Sequence, residues 1–273
     1  MPFSQQEETM NFSGKAGLVT GSGSGIGAAV AQGYAQRGGA VVVADFNERN
    51  AQKIAAGIVD RGGRAVAVKA DVTKLEDIER MIAIATDTFG RLDFLHNNAY
   101  GFPPKVGAPA RIAEMTDMFW EYGLNVGLTS CFRAARAAIP IMQRQGGGSI
   151  VNTASISGLF ADPGSACYNA VKAGLINFTR TLACEYGADG IRANCVCPGV
   201  IDTPMTGGAF NLVPGMRDAA IAQVPLGRLG TPQEMANVVL FLASDLASFV
   251  TGAAYVADGG QTVDSGNVFS KFK

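Results

Sequence analysis

Several residue types are scarce in this chain of 273 residues, and each scarcity excludes a class of protein. The only histidine is His96, so a metal centre built on several histidines is not expected. The five cysteines are scattered along a chain long enough to bury its own core, which argues against a disulfide scaffold. Charged residues make up 16% and the net charge is −1, so no strong field exists to hold a nucleic acid. We expect no metal site and no nucleic-acid partner.

Long apolar runs are missing as well. The first ten residues are polar and acidic and lack the apolar core of a signal peptide. The most apolar region, 238–257, is interrupted by Asp245 and by serine, threonine and glycine, so it does not predict a membrane span. Cysteines used in this unpaired way are typical of a reduced compartment. These observations predict a cytoplasmic protein with no membrane partner.

Apolar residues and glycine are abundant, and short β-branched runs alternate with longer amphipathic stretches, as in βαβ units. The predicted strands are Ala16–Thr20, Ala40–Asp45, Arg64–Lys69, Leu92–His96, Ser149–Thr153, Ile191–Val196 and Ala253–Val256. The predicted helices are Ile26–Arg37, Asn47–Arg61, Leu75–Thr88, Trp120–Arg144, Cys167–Tyr186 and Pro232–Leu242. Bare apolar runs such as 41–43 predict strands buried on both faces. The sequence therefore predicts the α/β class: one doubly wound domain, with a seven-stranded parallel sheet and helices on both faces.

No linker or shift in composition divides the chain. We expect a flexible N-terminal tail over residues 1–13, one folded domain over 14–262 and a C-terminal tail over 263–273. The segment 200–225 contains several prolines and glycines and predicts no long regular element. A loop of this length in a compact domain is typically a lid or a binding segment, and we interpret it as the substrate loop.

The first predicted strand is followed by a glycine-rich loop, Thr20-Gly21-Ser22-Gly23-Ser24-Gly25-Ile26-Gly27. Glycines permit close backbone approach, and a helix N-terminus presents free N–H groups to a pyrophosphate, although a glycine cluster alone is also typical of a tight turn. The second strand ends at Asp45, near the ~20-residue offset of the carboxylate that accepts hydrogen bonds from a ribose. That carboxylate would repel a 2′-phosphate by about 4 kcal/mol at 4 Å. The pattern predicts a Rossmann-type domain that prefers NAD to NADP.

Polar residues also follow the third and fourth predicted strands, where parallel strands face a ligand crevice. Asp71-Val72 follows the third strand and Asn97-Asn98-Ala99 the fourth. Asp71 would accept a hydrogen bond from an adenine amino group, but either segment is equally explained as a turn cap.

Tyr168 and Lys172 are four positions apart on a predicted helix, so they share one face. A nearby ammonium stabilises a phenolate, and the positive nicotinamide of an oxidised cofactor would add to this effect. We expect the two cations together to lower the pKa of Tyr168 far enough for general-base catalysis near neutrality.

Taken together, these motifs resemble the short-chain dehydrogenase/reductase family from about Gly14 to Thr262. The resemblance rests on the glycine loop, Asn97-Asn98-Ala99, Asn125, Ser155, Tyr168-x3-Lys172 and Pro198-Gly199, with Ser155 thirteen positions before Tyr168. It implies four catalytic residues: Ser155, Tyr168, Lys172 and Asn125. It implies a cofactor site formed by Gly21, Ser24, Gly25, Ile26, Gly27, Asp45, Phe46, Asp71, Val72, Asn98, Tyr168, Lys172, Pro198, Gly199, Ile201 and Thr203. It further implies a homotetramer whose dimer core is the predicted helices 120–144 and 167–186.

One departure from the family pattern is Tyr100, which stands where glycine usually follows Asn-Ala. This side chain is expected to narrow the cleft beside the cofactor. His96 ends an apolar strand and is interpreted as structural; a hydrolase would have to use it, but no G-x-S-x-G motif accompanies any serine.

The substrate pocket is predicted to contain mainly apolar residues: Ile156, Phe160, Phe102-Pro103-Pro104, Met205, Phe210, Leu212, Val213 and Met216. Such a lining favours an uncharged alcohol or ketone. The predicted function is NAD-dependent interconversion of an apolar secondary alcohol, cyclic alcohols included, and its ketone. Two alternatives stay open: an NADPH-dependent 3-oxoacyl thioester ketoreductase, and a catalytically silent dinucleotide-binding protein.

Overall fold

The computed structural model describes residues 10–101, 107 and 109–263. Seven parallel strands form one sheet in the order β3-β2-β1-β4-β5-β6-β7, which confirms the predicted architecture. Their bounds are β1 Ala16–Thr20, β2 Ala40–Asp45, β3 Arg64–Lys69, β4 Phe94–Asn97, β5 Gly148–Thr153, β6 Ile191–Pro198 and β7 Ala254–Ala257. The strand order reverses between β1 and β4, and that point is where doubly wound sheets open their ligand crevice.

Helices cover both faces of the sheet. They are α1 Gly25–Gln36, α2 Glu48–Val59, α3 Leu75–Phe89, α4 Asp117–Leu124, α5 Ser130–Arg144, α6 Ala166–Tyr186, α7 Pro204–Phe210, α8 Met216–Ala222 and α9 Pro232–Ala243. On one face, α1, α2 and α9 share a hydrophobic core with Val41 and Val43 of β2; on the other, α3, α5 and α6 share a core with Val42. Successive strand residues point to opposite faces, so this bare valine run supplies both cores.

In the part of the chain that the structure describes, no helix combines the length and the apolar character that crossing a membrane requires.

The predicted helix 120–144 is helical over its whole length, but it is not a regular α-helix. α4 ends at Leu124, a π-helical turn covers Asn125–Thr129, and α5 begins at Ser130. The inserted residue shifts the register of the side chains between the two helices, a feature that often marks functional positions.

The predicted loop 200–225 contains two helices of seven residues each, α7 and α8. Thr203 initiates α7: its hydroxyl accepts from the backbone N–H of Thr206, and Pro204 occupies the first helical turn. Local capping explains why a segment rich in glycine and proline still forms helical turns.

The range predicted for the N-terminal tail, residues 1–13, extends too far along the chain, because its last residues pack on the folded domain. Phe12 is 1% exposed, its ring stacks on Tyr34 with centroids 4.3 Å apart, and its backbone N–H donates to the Arg37 carbonyl at 2.8 Å. The burial of an aromatic ring outweighs the cost of ordering these residues. The rest of both predicted tails, 1–9 and 264–273, lies outside the described residues.

Substitution of Phe12 tests this boundary. Phe12→Ala should lower the free energy of unfolding by about 3 to 5 kcal/mol, because it removes a buried ring and leaves a cavity. Chemical denaturation measures the change, with Lys53→Ala on the exposed side of α2 as the control. A loss below about 0.5 kcal/mol would place residues 10–13 outside the folded domain.

Candidate active site

A cleft of about 350 Å³ opens at the C-terminal edge of the sheet. The predicted site residues that line it are Gly21, Ser24, Gly25, Ile26, Asp45, Asn98, Ser155, Tyr168, Lys172, Pro198, Gly199, Ile201 and Thr203. Tyr100 also lines the cleft, where its side chain is predicted to narrow it, and so does Met205, which is predicted on the substrate side. The other described residues that line the cleft have no predicted place in the site: Ala99, Thr153, Ala154, Pro204 and Thr206. The cleft thus joins the predicted cofactor and reactive residues in one space.

The glycine loop closes one end of the cleft. Gly21 and Gly25 adopt the left-handed backbone conformation, with φ of 63° and 53°. A Cβ at Gly27 would lie 2.3 Å from the Gly21 carbonyl oxygen, so the loop and the first turn of α1 are in direct backbone contact. Ser24 precedes α1 without a side-chain capping bond, and the first turn carries no acidic residue. This helix N-terminus fits an anionic pyrophosphate.

Asn98 braces the glycine loop through its side-chain amide. Its Nδ2 donates to the carbonyl oxygens of Thr20 at 3.1 Å and Gly21 at 3.2 Å, and its Oδ1 accepts from the Thr153 hydroxyl at 3.2 Å. The Asn98 side chain, which is predicted to contact a cofactor, therefore holds the backbone of the loop that would bind the cofactor. Its predicted cofactor contact stays a prediction.

Asp45 lies where a ribose carboxylate is expected. Its Oδ2 accepts from the Gly23 N–H and its Oδ1 from the Asn47 N–H, both at 2.8 Å. A Cβ at Gly23 would lie 2.8 Å from the Asp45 carboxyl carbon, so only glycine lets loop and carboxylate meet. The same oxygens retain lone pairs for ribose hydroxyls.

Ser155, Tyr168 and Lys172 meet at the centre of the cleft. A hydrogen bond joins the Ser155 and Tyr168 side chains, and the Ser155 Oγ also accepts from the Ser157 N–H at 3.1 Å. The Lys172 Nζ is buried, donates to the Thr153 carbonyl oxygen at 2.7 Å and lies 5.5 Å from the centroid of the Tyr168 ring. The predicted shared helical face is what brings phenol and amine together.

The predicted lowering of the Tyr168 pKa concerns the complex with an oxidised cofactor and stays a prediction, whereas in the ligand-free protein this pKa is raised. Burial raises the pKa of Tyr168, the hydrogen bond from Ser155 acts to lower it, and the Asp162 carboxylate raises it further. Burial also lowers the pKa of Lys172 to about 8. Desolvation disfavours the charged form of both groups, and it is the largest influence on each of the two pKa values.

Five predicted site residues do not line the cleft: Gly27, Phe46, Asp71, Val72 and Asn125. The Asp71 Oδ1 accepts from the backbone and hydroxyl of Thr73, at 3.0 and 2.7 Å, which favours the turn interpretation for this residue. Phe46 is 68% exposed on the far side of Asp45, and Val72 is buried.

Asn125 begins the π-helical turn beside the cleft. Its carbonyl oxygen accepts from the Ser130 N–H, and its amide donates weakly to the Thr73 carbonyl at 3.5 Å. The turn packs against α6, the helix that carries Lys172, so Asn125 adjoins the reactive residues without lining the cleft. Its predicted catalytic role stays a prediction.

His96 lies beneath the cleft with no exposed surface. Its Nε2 lies 2.8 Å from the Thr153 hydroxyl, and burial lowers the pKa of the imidazole to about 3. The ring is therefore neutral at physiological pH, as a structural histidine would be. No cluster of three or more potential metal ligands occurs within residues 10–101, 107 and 109–263.

The substrate side agrees less well with the sequence prediction. Of the predicted apolar residues, Met205 lines the cleft, whereas Phe160, Leu212, Val213 and Met216 are largely exposed. Ile156 and Phe210 do not line it, and the predicted segment 102–104 lies outside the described residues.

Comparison with known proteins places these features in a family. A family model described as enoyl-(acyl carrier protein) reductase matches residues 21–262, nearly the whole folded chain. The chain belongs to the short-chain dehydrogenase/reductase family. The cyclohexanol dehydrogenase of Acinetobacter sp. (strain SE19), a curated relative, is 42% identical over 92% of this chain and 96% of its own.

Two further relatives of this short-chain dehydrogenase/reductase represent different activities. The 3-oxoacyl-[acyl-carrier-protein] reductase of Thermotoga maritima is 37% identical over 93% of this chain and all of its own. A solved 7α-hydroxysteroid dehydrogenase, in complex with NADH and 7-oxo glycochenodeoxycholic acid, superimposes with a TM-score of 0.86. It is 30% identical and covers 92% of this chain and 95% of its own.

Two glycine-to-alanine substitutions, one in the glycine loop and one in α2, are expected to change the free energy of unfolding in opposite directions. Gly27→Ala should lower the free energy of unfolding by about 1 to 3 kcal/mol, because its Cβ would collide with the Gly21 carbonyl. Gly57→Ala, inside α2 with no atom closer than 3.6 Å, should raise it by about 0.5 to 1 kcal/mol. Denaturant titration compares the two; a neutral Gly27→Ala would contradict the close contact.

Proposed function

We propose that the protein is an NAD-dependent oxidoreductase that interconverts an apolar cyclic secondary alcohol and its ketone. The observation that carries the proposal is the meeting of Ser155, Tyr168 and Lys172 in a cleft whose other end is a glycine cradle with Asp45. Absorbance at 340 nm with NAD and cyclohexanol tests it directly. Turnover supports the proposal, and tight NAD binding without turnover on a panel of secondary alcohols favours the silent dinucleotide-binding alternative.

The chain's own residues suit a nicotinamide cofactor. The amides of the glycine loop and of the α1 N-terminus would hold the pyrophosphate, and the Asp45 carboxylate would hold the adenosine ribose. When bound, the nicotinamide supplies hydride chemistry. Pro198, Gly199, Ile201 and Thr203 form the opposite wall of the cleft and would enclose the cofactor.

Tyr168 would transfer the proton at the substrate oxygen. During oxidation its Oη accepts the carbinol proton, and during reduction it donates one to the developing alkoxide. Ser155 is placed to donate to the same oxygen and stabilise its charge. The Lys172 ammonium, with the positive charge of an oxidised cofactor, would offset the desolvation that raises the Tyr168 pKa in the ligand-free protein.

The lining favours an uncharged substrate. Among the described residues that line the cleft, Lys172 is the only cation, and its amine already donates to Thr153. Pro204 and Met205 contribute apolar side chains to the lining. Since a curated relative acts on cyclohexanol, a cyclic alcohol is the substrate class we propose.

The ketoreductase alternative has a relative in its favour but a residue against it. The Thermotoga maritima relative reduces 3-oxoacyl carrier thioesters. A thioester ketoreductase of the predicted type would use NADPH, whose 2′-phosphate would meet the Asp45 carboxylate. We therefore rank it second.

We also propose a homotetramer in the cytoplasm. Phe132 on α5 is 44% exposed and contacts Phe178 of α6, while Phe249, Tyr255 and Val256 expose apolar surface at the β7 edge of the sheet. Two separate apolar surfaces suit an assembly with two kinds of contact. Sedimentation velocity should show a tetramer that dissociates in Phe132→Glu; a monomeric wild type would contradict this.

Removal of the phenol tests the proton-transfer role. Tyr168→Phe should lower kcat by at least about 100-fold, because no other group takes the proton, and should leave the Kd for NAD within about threefold. Steady-state kinetics and NAD titration measure both quantities, with Tyr186→Phe on the same helix as the control. Retention of more than a few per cent of the activity would remove Tyr168 from this role.

Removal of the carboxylate tests cofactor choice. Asp45→Ala should raise the ratio of kcat/KM with NADP to that with NAD by roughly tenfold or more, because a charge repulsion is removed. Asp60→Ala, at the exposed end of α2, is the control. An unchanged ratio would place the ribose contact elsewhere.

A further inference from the structure

Tyr100, the residue that departs from the family pattern, lies against both reactive side chains. The Lys172 Nζ is 4.8 Å from the centroid of the Tyr100 ring, closer than it is to the Tyr168 ring. The Tyr100 and Tyr168 rings meet edge to face, with centroids 5.0 Å apart and planes at 66°. The amine therefore lies within about 6 Å of the centroids of both rings.

The π-helical turn makes room for this extra ring. A Cβ at Gly127 would lie 2.8 Å from Cε2 and 3.0 Å from Cδ2 of Tyr100, and 2.5 Å from the Val171 side chain. Any larger residue at Gly127 would displace the Tyr100 ring. Gly127 and Tyr100 are therefore complementary in size: the glycine leaves the space that the ring fills.

We propose that Tyr100 is a positioning residue whose ring face stabilises the buried Lys172 ammonium and whose edge fixes the orientation of the Tyr168 ring. A cation within about 6 Å of an aromatic centroid is attracted by the ring, more strongly when water is excluded. Edge-to-face pairs also have a preferred geometry. This proposal extends the proposed function. Only its kinetic consequences depend on that function.

A carbonyl and thiols accompany the two rings around the Lys172 amine. The groups that face the amine are the Thr153 carbonyl on β5, Tyr168 on α6, and the thiols of Cys131 on α5 and of Cys195 and Cys197 on β6. No carboxylate pairs with Lys172 among the described residues. Burial lowers the pKa of the amine to about 8, and the ring faces would oppose that lowering.

Direct titration of Lys172 in the ligand-free protein tests the ring independently of any activity. The ε-carbon NMR signal of Lys172, assigned by its loss in Lys172→Arg, reports the pKa. Tyr100→Leu keeps an apolar side chain but removes the ring, and should lower this pKa by about half a unit to one unit. Tyr100→Phe keeps the ring and should retain the wild-type value, as should the distant control Tyr186→Leu. An unchanged or higher pKa in Tyr100→Leu overturns the proposal.

A second series keeps the shape of the side chain, in case Tyr100→Leu does not fold. Fluorinated phenylalanines incorporated at position 100 weaken the negative ring face without changing the packing. The Lys172 pKa should fall stepwise from phenylalanine to trifluorophenylalanine. A flat series overturns the electrostatic part of the proposal.

Kinetics then separate positioning from structure. In Tyr100→Leu the ionisation seen in the pH profile of kcat/KM should move in the direction of the measured Lys172 pKa, and kcat should fall more than KM rises. Loss of activity with an unmoved pH profile would leave only a packing role and contradict the proposal. Failure of the wild type to oxidise any alcohol would refute the proposed function, while the titration would still decide the role of Tyr100.

Discussion

A lysine ammonium buried at the edge of a sheet needs an acceptor, and Lys172 has one in the Thr153 carbonyl oxygen, 2.7 Å away. This hydrogen bond ties α6 to the end of β5 and fixes the helix that carries Tyr168. Ser155, two residues after Thr153, is thereby held within reach of the phenol. Without that acceptor, the cost of burying the amine would oppose the packing of α6 on the sheet.

Thr153 also links the two ends of the cleft. Its hydroxyl donates to Asn98, which braces the glycine loop, and so must accept from His96 Nε2. The imidazole is then the tautomer protonated on Nε2, and the Nδ1 atom has no hydrogen-bond partner among the described residues. One residue thus connects the reactive amine, the phosphate cradle and the buried histidine.

The elements that sequence predicts well are those set by local pattern. The valine run of β2, the glycine loop and the Tyr168-x3-Lys172 spacing follow from side-chain period and backbone sterics, and β1, β2 and β3 have the predicted bounds. The π-helical turn at Asn125 escapes prediction, because one extra residue barely changes a hydrophobic period. The raised pKa of Tyr168 in the ligand-free protein and the contact between the Tyr100 and Tyr168 rings depend on segments that are distant in sequence. They can therefore be seen only in the folded structure.

Isotope tracing tests most directly the central claim that the carbinol carbon gives its hydrogen to the cofactor as hydride. With cyclohexanol carrying deuterium only at its carbinol carbon, the deuterium should appear in the reduced cofactor, with a primary isotope effect on kcat/KM that persists in Tyr186→Phe. Deuterium recovered in water, or ketone formed without reduced cofactor, would contradict the account.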